Sequence, residues 1–199
     1  VTLDKALHEF SFPAVLADNF EGGQLATEHL LAQGHQRIGY IFGERHHPQS
    51  VRQRYLGYVD QLKKQQSSFR TKLDDPQALL SSAVSYIQEN QLTGAVCEND
   101  LVAIELMRQL KQVGVQVPKE FAVIGFDDIQ AAALVDPPLS TVKQNFAELG
   151  RLAGTKLVQL IQSTAAGLSP LAKEDECATA NQKVAVTLVV RDSTIDQKQ

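Results

Sequence analysis

With 199 residues, 43% hydrophobic and 21% charged, the chain has enough apolar material for a real core, which excludes wholesale disorder. A formal net charge of −4 argues against a nucleic-acid surface, which needs clustered Lys and Arg to displace counterions. No basic run exceeds a pair such as Lys63-Lys64, so any DNA contact is expected outside this chain.

The two cysteines, Cys97 and Cys177, are far apart in sequence, and Cys97 sits in the apolar run GAVC, where a thiol behaves as a small hydrophobe. No stretch approaches the roughly 20 apolar residues that span a bilayer, so no membrane partner is expected. The start shows no charged segment followed by an apolar one, so no signal peptide is visible and the expected location is cytoplasmic. The chain opens on Val1, without an initiator Met.

In chain order, short apolar runs alternate with helical patterns. The runs are Val1–Leu3, Pro13–Ala17, Arg37–Phe42, Gly94–Cys97, Phe121–Phe126, Leu139–Val142 and Val184–Val190. Their β-branched, nearly continuous character is that of strands buried on both faces of a parallel sheet. Between them the pattern predicts a helix over Phe20–Gln33 after Asp18-Asn19. A second follows a Ser50/Gln53 capping box and runs to about Gln65. Asp75-Pro76 predicts a third to about Asn90, Asn99 or Asp100 a fourth to Val113 before Gly114, and Asn145 with Glu148 a fifth to about Gln162. Strands alternating with such helices mean an α/β fold with doubly wound parallel sheets, with six mainly parallel strands expected in the part from Asp18 to Val142. Ser163–Lys183 is small, polar and charged and reads as a long surface loop.

In an open parallel sheet, ligands bind beyond the carboxyl ends of the strands. There the sequence places Asp4, Asp18-Asn19, Gly43-Glu44, Glu98-Asn99-Asp100, Asp127-Asp128 and Lys143-Gln144. Such carboxylates and amides, with an arginine opposite, suit a neutral polyol. The same residues precede helices and could simply cap them. No nucleophile elbow, phosphate loop or dinucleotide fingerprint is present, so neither an enzyme nor a cofactor is expected. His46 and His47 are adjacent, a poor metal pair, and read as exposed loop residues; His35 reads as structural.

DNFEGGQLATEHLLAQGHQRIGYIFG at Asp18–Gly43 resembles the DN-x-x-GG-x-LAT-x-HL-x-x-x-GH-x-x-I segment of LacI/GalR transcriptional regulators. RQRYLGY at Arg52–Tyr58 is similar to their R-x-x-GY motif. The blocks at Ala95–Asp128 and Asp136–Ala153 are similar to their ND-x-x-A, VP-x-x-x-x-V-x-GFDD and PPL-[ST]-TV-x-Q segments, and LVVRDST at Leu188–Thr194 to their closing L-x-x-R-x-S-T. Together these cover nearly the whole chain in order.

The resemblance implies a type I periplasmic-binding-protein-like fold of two doubly wound lobes. Residues 18–142 with 184–194 would form a near-complete C-terminal lobe, and 1–17 with 143–183 part of the N-terminal lobe. It also implies a small effector, a sugar, bound between lobes, and operator DNA read by a helix-turn-helix domain outside this chain. Arg54 matches an arginine that clamps ligand hydroxyls. Asn99 and Asp127 match an amide and a carboxylate that complete the contacts, Gln144 a crossover residue, Phe146 an aromatic beside the ligand and Asp4 a contact from the N-terminal lobe. On this reading Arg54→Ala removes donors rather than core volume and leaves the fold intact. The resemblance further implies a homodimer through Ile104, Arg108, Leu134 and Val135. The chain departs from the family at Ala17 and in the loop Lys72–Pro76, where some members place stacking aromatics and this loop offers only Leu73. A secreted sugar-binding protein of a transport system shares the fold and is the alternative.

Overall fold

A computed structural model describes residues 1–3, 13–44, 47–67, 69–73, 75–165 and 181–195. The chain divides into two compact units, Val1–Asp18 with Asn145–Val186, and Asn19–Gln144 with Thr187–Gln199.

The larger unit is built on a five-stranded sheet. In chain order it holds α1 (Asn19–Ala32), β3 (Ile38–Ile41), α2 (Gln49–Lys64), α3 (Ala83–Glu89), β4 (Gly94–Cys97), α4 (Asp100–Gln112), β5 (Ala122–Asp127) and β6 (Ser140–Gln144), with β8 (Val186–Val189) last. The strand order is β3-β4-β5-β6-β8, and β3 to β6 pair in parallel. The expected six strands are therefore five among the described residues, and one of them comes from near the end of the chain. Every residue of β3 and β4 is buried, as their continuous apolar runs require when both faces are covered. Successive residues of β5 face opposite layers: Phe126 lies against Gly22 of α1, and Gly125 against Asp100 of α4. Gly34 and Gly114 follow α1 and α4 at φ 90° and 82°, and the next N–H of each closes back on Leu30 and Leu110. Only glycine takes that left-handed turn without steric cost.

The smaller unit holds β1 (Thr2–Leu3), β2 (Ala14–Ala17), α5 (Phe146–Ala165) and β7 (Gln182–Val184), with sheet order β1-β2-β7, all parallel. Asn145 caps α5 by accepting the Glu148 N–H at 3.0 Å, while the Glu148 carboxylate turns outward to Arg151.

Three local expectations change. The run Val184–Val190 is two strands in two different sheets, broken at Ala185, which a continuous apolar pattern cannot reveal. The Ser50 capping box does not form: α2 begins after Pro48, whose fixed φ already suits a helix start. Asp75 opens a turn instead of a helix, its carboxylate accepting the Gln77 N–H, because Leu79 is drawn into a parallel bridge with Phe42. The helix therefore starts only at Leu80, with one 3-10 turn. Most of the expected loop Ser163–Lys183 lies outside the described residues, as do Cys177, His46 and Asp4.

Candidate functional site

Arg54, on α2, is 5% exposed despite its charge. It reaches the larger unit's strand ends because α1 and α2 pack backbone to backbone. A methyl on Gly23 would overlap the carbonyl oxygen of Arg54, and one on Gly57 that of Phe20. The guanidinium is then held on every side. Its Nε donates to Asn19 Oδ1 at 2.8 Å, its Nη1 to the Glu98 carbonyl at 2.7 Å, and its Nη2 pairs with Asp127 Oδ1 at 3.3 Å. The carbon at its centre lies 3.8 Å from the centroid of the Phe126 ring, a cation-π arrangement. Each Nη still carries a second N–H, the fork that suits vicinal hydroxyls. Such a residue contributes to stability as well as to a site, so alanine is expected to cost stability, which the reading of Arg54 as a source of donors alone does not include.

Asp127 closes β5 at φ 115°, and Asp128 follows at φ 55°. Two consecutive non-glycine residues at positive φ store backbone strain of about 1–3 kcal/mol each, a feature concentrated at functional sites. Gln144, at the end of β6, donates to Asp127 Oδ1 at 2.6 Å, while its own Oε1 is buried without a hydrogen-bond partner among the described residues. Asp128 is tied back by Arg191 at 2.6 Å.

Asn99 precedes α4 and its side-chain oxygen accepts the Val102 N–H at 2.9 Å, so it caps the helix. Its amide nitrogen points to Glu98 Oε1 at 3.4 Å. Burial pushes the Glu98 carboxyl up, while the Gly43 N–H holds it down. Arg54, Asp127 and Gln144 thus form one bonded cluster, and Asn99 joins it through Glu98. Phe146 is in the smaller unit, 59% exposed in the first turn of α5. Asn19, Glu98 and Phe126 complete the cluster. Sequence reading could place the first two only as strand-end residues and Phe126 only as core.

Elsewhere, His47 is buried rather than exposed, its ring stacked 4.3 Å from Phe42. His29 and His35 bond the hydroxyls of Thr194 and Thr93. Cys97 is a buried free thiol.

Asp100 is fully buried. Burial pushes its carboxyl from 3.8 up to about 6, against the hydrogen bonds from Thr141 and the Ile129 N–H; Asp127 and Asp128 add repulsion. Because the folded value exceeds the unfolded one, this group's contribution to stability is full below about pH 4 and is lost as pH rises through about 6. The non-titrating Asp100→Asn protein is therefore expected to gain on the unaltered one between those values in paired thermal melts. A gap that stays constant with pH would refute the linkage.

A family model described as a periplasmic binding protein-like domain matches residues 27–194. The chain belongs to the periplasmic binding protein-like family. Among curated relatives of this periplasmic binding protein-like chain is the ribose operon repressor of Haemophilus influenzae, 30% identical over 184 residues, covering 89% of this chain and 55% of that protein. The chain thus spans about half the length of that relative. A LacI family transcriptional regulator from Enterococcus faecium with bound ribose superposes with a TM-score of 0.77 at 26% identity, covering 98% of this chain and 70% of that one. A dimeric Lac repressor with a C-terminal deletion gives 0.76 at 27% identity, covering 97% and 68%. The fold is that of LacI-family effector-binding domains.

Proposed function

We propose that this chain is the effector-sensing part of a LacI-type transcriptional regulator, binding a small polyhydroxylated molecule, a sugar, at Arg54, Asn99, Asp127 and Gln144. Asn19–Gln144 with the last strand would be the C-terminal lobe, and the smaller unit part of the N-terminal one. The observation that carries the reading is the Arg54–Asp127–Gln144 cluster. A buried guanidinium with spare donors, a carboxylate on a strained backbone and an amide oxygen without a partner among the described residues meet at the carboxyl ends of parallel strands. Donors and acceptors side by side are what a diol engages. The H. influenzae relative named a ribose operon repressor and the E. faecium regulator with bound ribose make pentoses the first compounds to try. Operator binding would then change in a DNA-reading domain outside this chain, and the setting would be cytoplasmic. No catalytic role is assigned. The test is a thermal-shift series with pentoses, hexoses and nucleosides: a ligand of the native state raises the melting temperature by mass action. A flat series sinks the reading.

The same reading includes a homodimer. Leu134 is 77% exposed, and Leu101, one turn before Ile104 and two turns before Arg108 on α4, is 67% exposed. Exposed leucines of this kind are what a two-fold interface buries, and one similar solved structure is a dimeric Lac repressor. Arg108 is held outward by Glu105 at 2.6 Å. Sedimentation is expected to show a dimer that Leu134→Asp converts to monomer. An unchanged dimer in the variant, or a monomer before substitution, counts against it.

A further inference from the structure

Asp100 is a buried carboxylate that the reading above leaves without a task. The cap of α4 is Asn99, and no cation pairs with Asp100 among the described residues. Its two oxygens are bonded elsewhere. Oδ2 accepts the backbone N–H of Ile129 at 2.8 Å, and Oδ1 accepts the Thr141 hydroxyl at 2.5 Å. Thr141 stands on β6 in register with Gly125 of β5, and a methyl on Gly125 would overlap Asp100 Oδ1. One side chain therefore ties together the start of α4, the turn after β5 and the middle of β6.

Those three elements carry Asn99, Asp127 and Gln144. Asn99 directly precedes Asp100, Asp127 lies two residues before Ile129, and Gln144 three residues after Thr141. The turn between Asp127 and Ile129 is the strained one, at φ 115° and 55°. Residues in such conformations persist only where surrounding bonds over-determine them. We propose that Asp100 is a positioning residue: by holding the Ile129 N–H and the Thr141 hydroxyl, it sets the register in which Asp127 meets Arg54 and Gln144. This rests on the reading of that cluster as the effector site. Asparagine can reproduce both bonds, its oxygen accepting from Ile129 and its nitrogen donating to the hydroxyl oxygen of Thr141. Alanine can reproduce neither and leaves a buried N–H unpaired.

The test uses the whole chain, labelled with 15N, and follows hydrogen exchange at the Ile129 amide and the Arg54 Nε–H, together with calorimetric titration of D-ribose. Asp100→Ala is expected to speed both exchanges and weaken ribose binding by about tenfold, the loss of one hydrogen bond to a charged group. Asp100→Asn is expected to keep all three within about threefold of the unaltered chain, and Thr141→Val, which keeps the packed volume but removes one bond, to speed the exchange at Arg54, which a role in packing alone would not do. Unchanged exchange at Arg54 in Asp100→Ala, or equal losses in the two variants, overturns the proposal. If Asp100→Ala fails to fold, Thr141→Val removes one of the two bonds alone, and a variant with unaltered Arg54 exchange overturns it equally. If the unaltered chain takes up no ribose, the pentose reading fails while the exchange data still decide the role of Asp100. Ribose binding lost in Arg54→Ala but kept in Asp100→Ala upholds the site and rejects the positioning.

Discussion

Arg54→Ala is expected to lose effector binding by about 100-fold, two charge-assisted hydrogen bonds at roughly 1.5 kcal/mol each, and to lower stability as well. Alanine removes the hydrogen bonds and ion pair that Arg54 gives to Asn19 Oδ1, the Glu98 carbonyl and Asp127, and uncovers the face of Phe126. Breaking a buried pair from one side costs about 3–5 kcal/mol. The Asp127 side chain is 24% exposed, so water recovers part of that, and about 2–3 kcal/mol is the expected loss in urea unfolding. Arg54→Lys keeps the charge but not the planar fork. It should recover part of the stability and little of the binding, which separates the two effects. Full stability in Arg54→Ala would mean that the guanidinium is not held as described.

Gly57→Ala and Gly23→Ala are expected to be the most damaging single-methyl changes in the larger unit. Each methyl meets a backbone carbonyl of the opposing helix, which has no rotamer to move into. The helices must part, at a cost of about 3 kcal/mol or more, the upper end of overpacking. Because α2 carries Arg54, the separation also pulls the guanidinium away from Asn19 and Asp127. Gly150 and Gly154 on α5 have open space where a methyl would stand. Alanine at either is expected to stabilise by about 0.5–1 kcal/mol through helix propensity alone. Equal effects at the two pairs of positions would contradict the packing account.

The strands and helices that position the cluster were legible because burial on both faces writes itself as uninterrupted apolar runs, as in Ala95–Cys97 and Ala122–Phe126, and because Asn99 is a strong cap. The strand-end rule also located Asp127 and Gln144. What stayed hidden depends on three-dimensional contact. An arginine in a helix reads as solvated, and only the glycine-mediated approach of α1 and α2 buries Arg54. Asp100 reads as a cap because it stands at a helix start, yet its carboxylate bonds β6 and the turn after β5. His47 follows a loop-like histidine pair and is nonetheless stacked on Phe42. The split at Ala185 is a change of sheet, which leaves no mark in hydropathy.

The central claim is that Arg54, Asn99, Asp127 and Gln144 hold the effector. Amide chemical-shift mapping of the 15N-labelled chain, titrated with D-ribose and then with whichever pentose, hexose or nucleoside raises its melting temperature most, tests it directly. Saturable shifts are expected at Glu98, Asn99, Asp127, Asp128 and Gln144 and at the Arg54 Nε–H, and they should vanish in Arg54→Ala. Saturable shifts confined to other residues, with these six signals unmoved, would contradict the account.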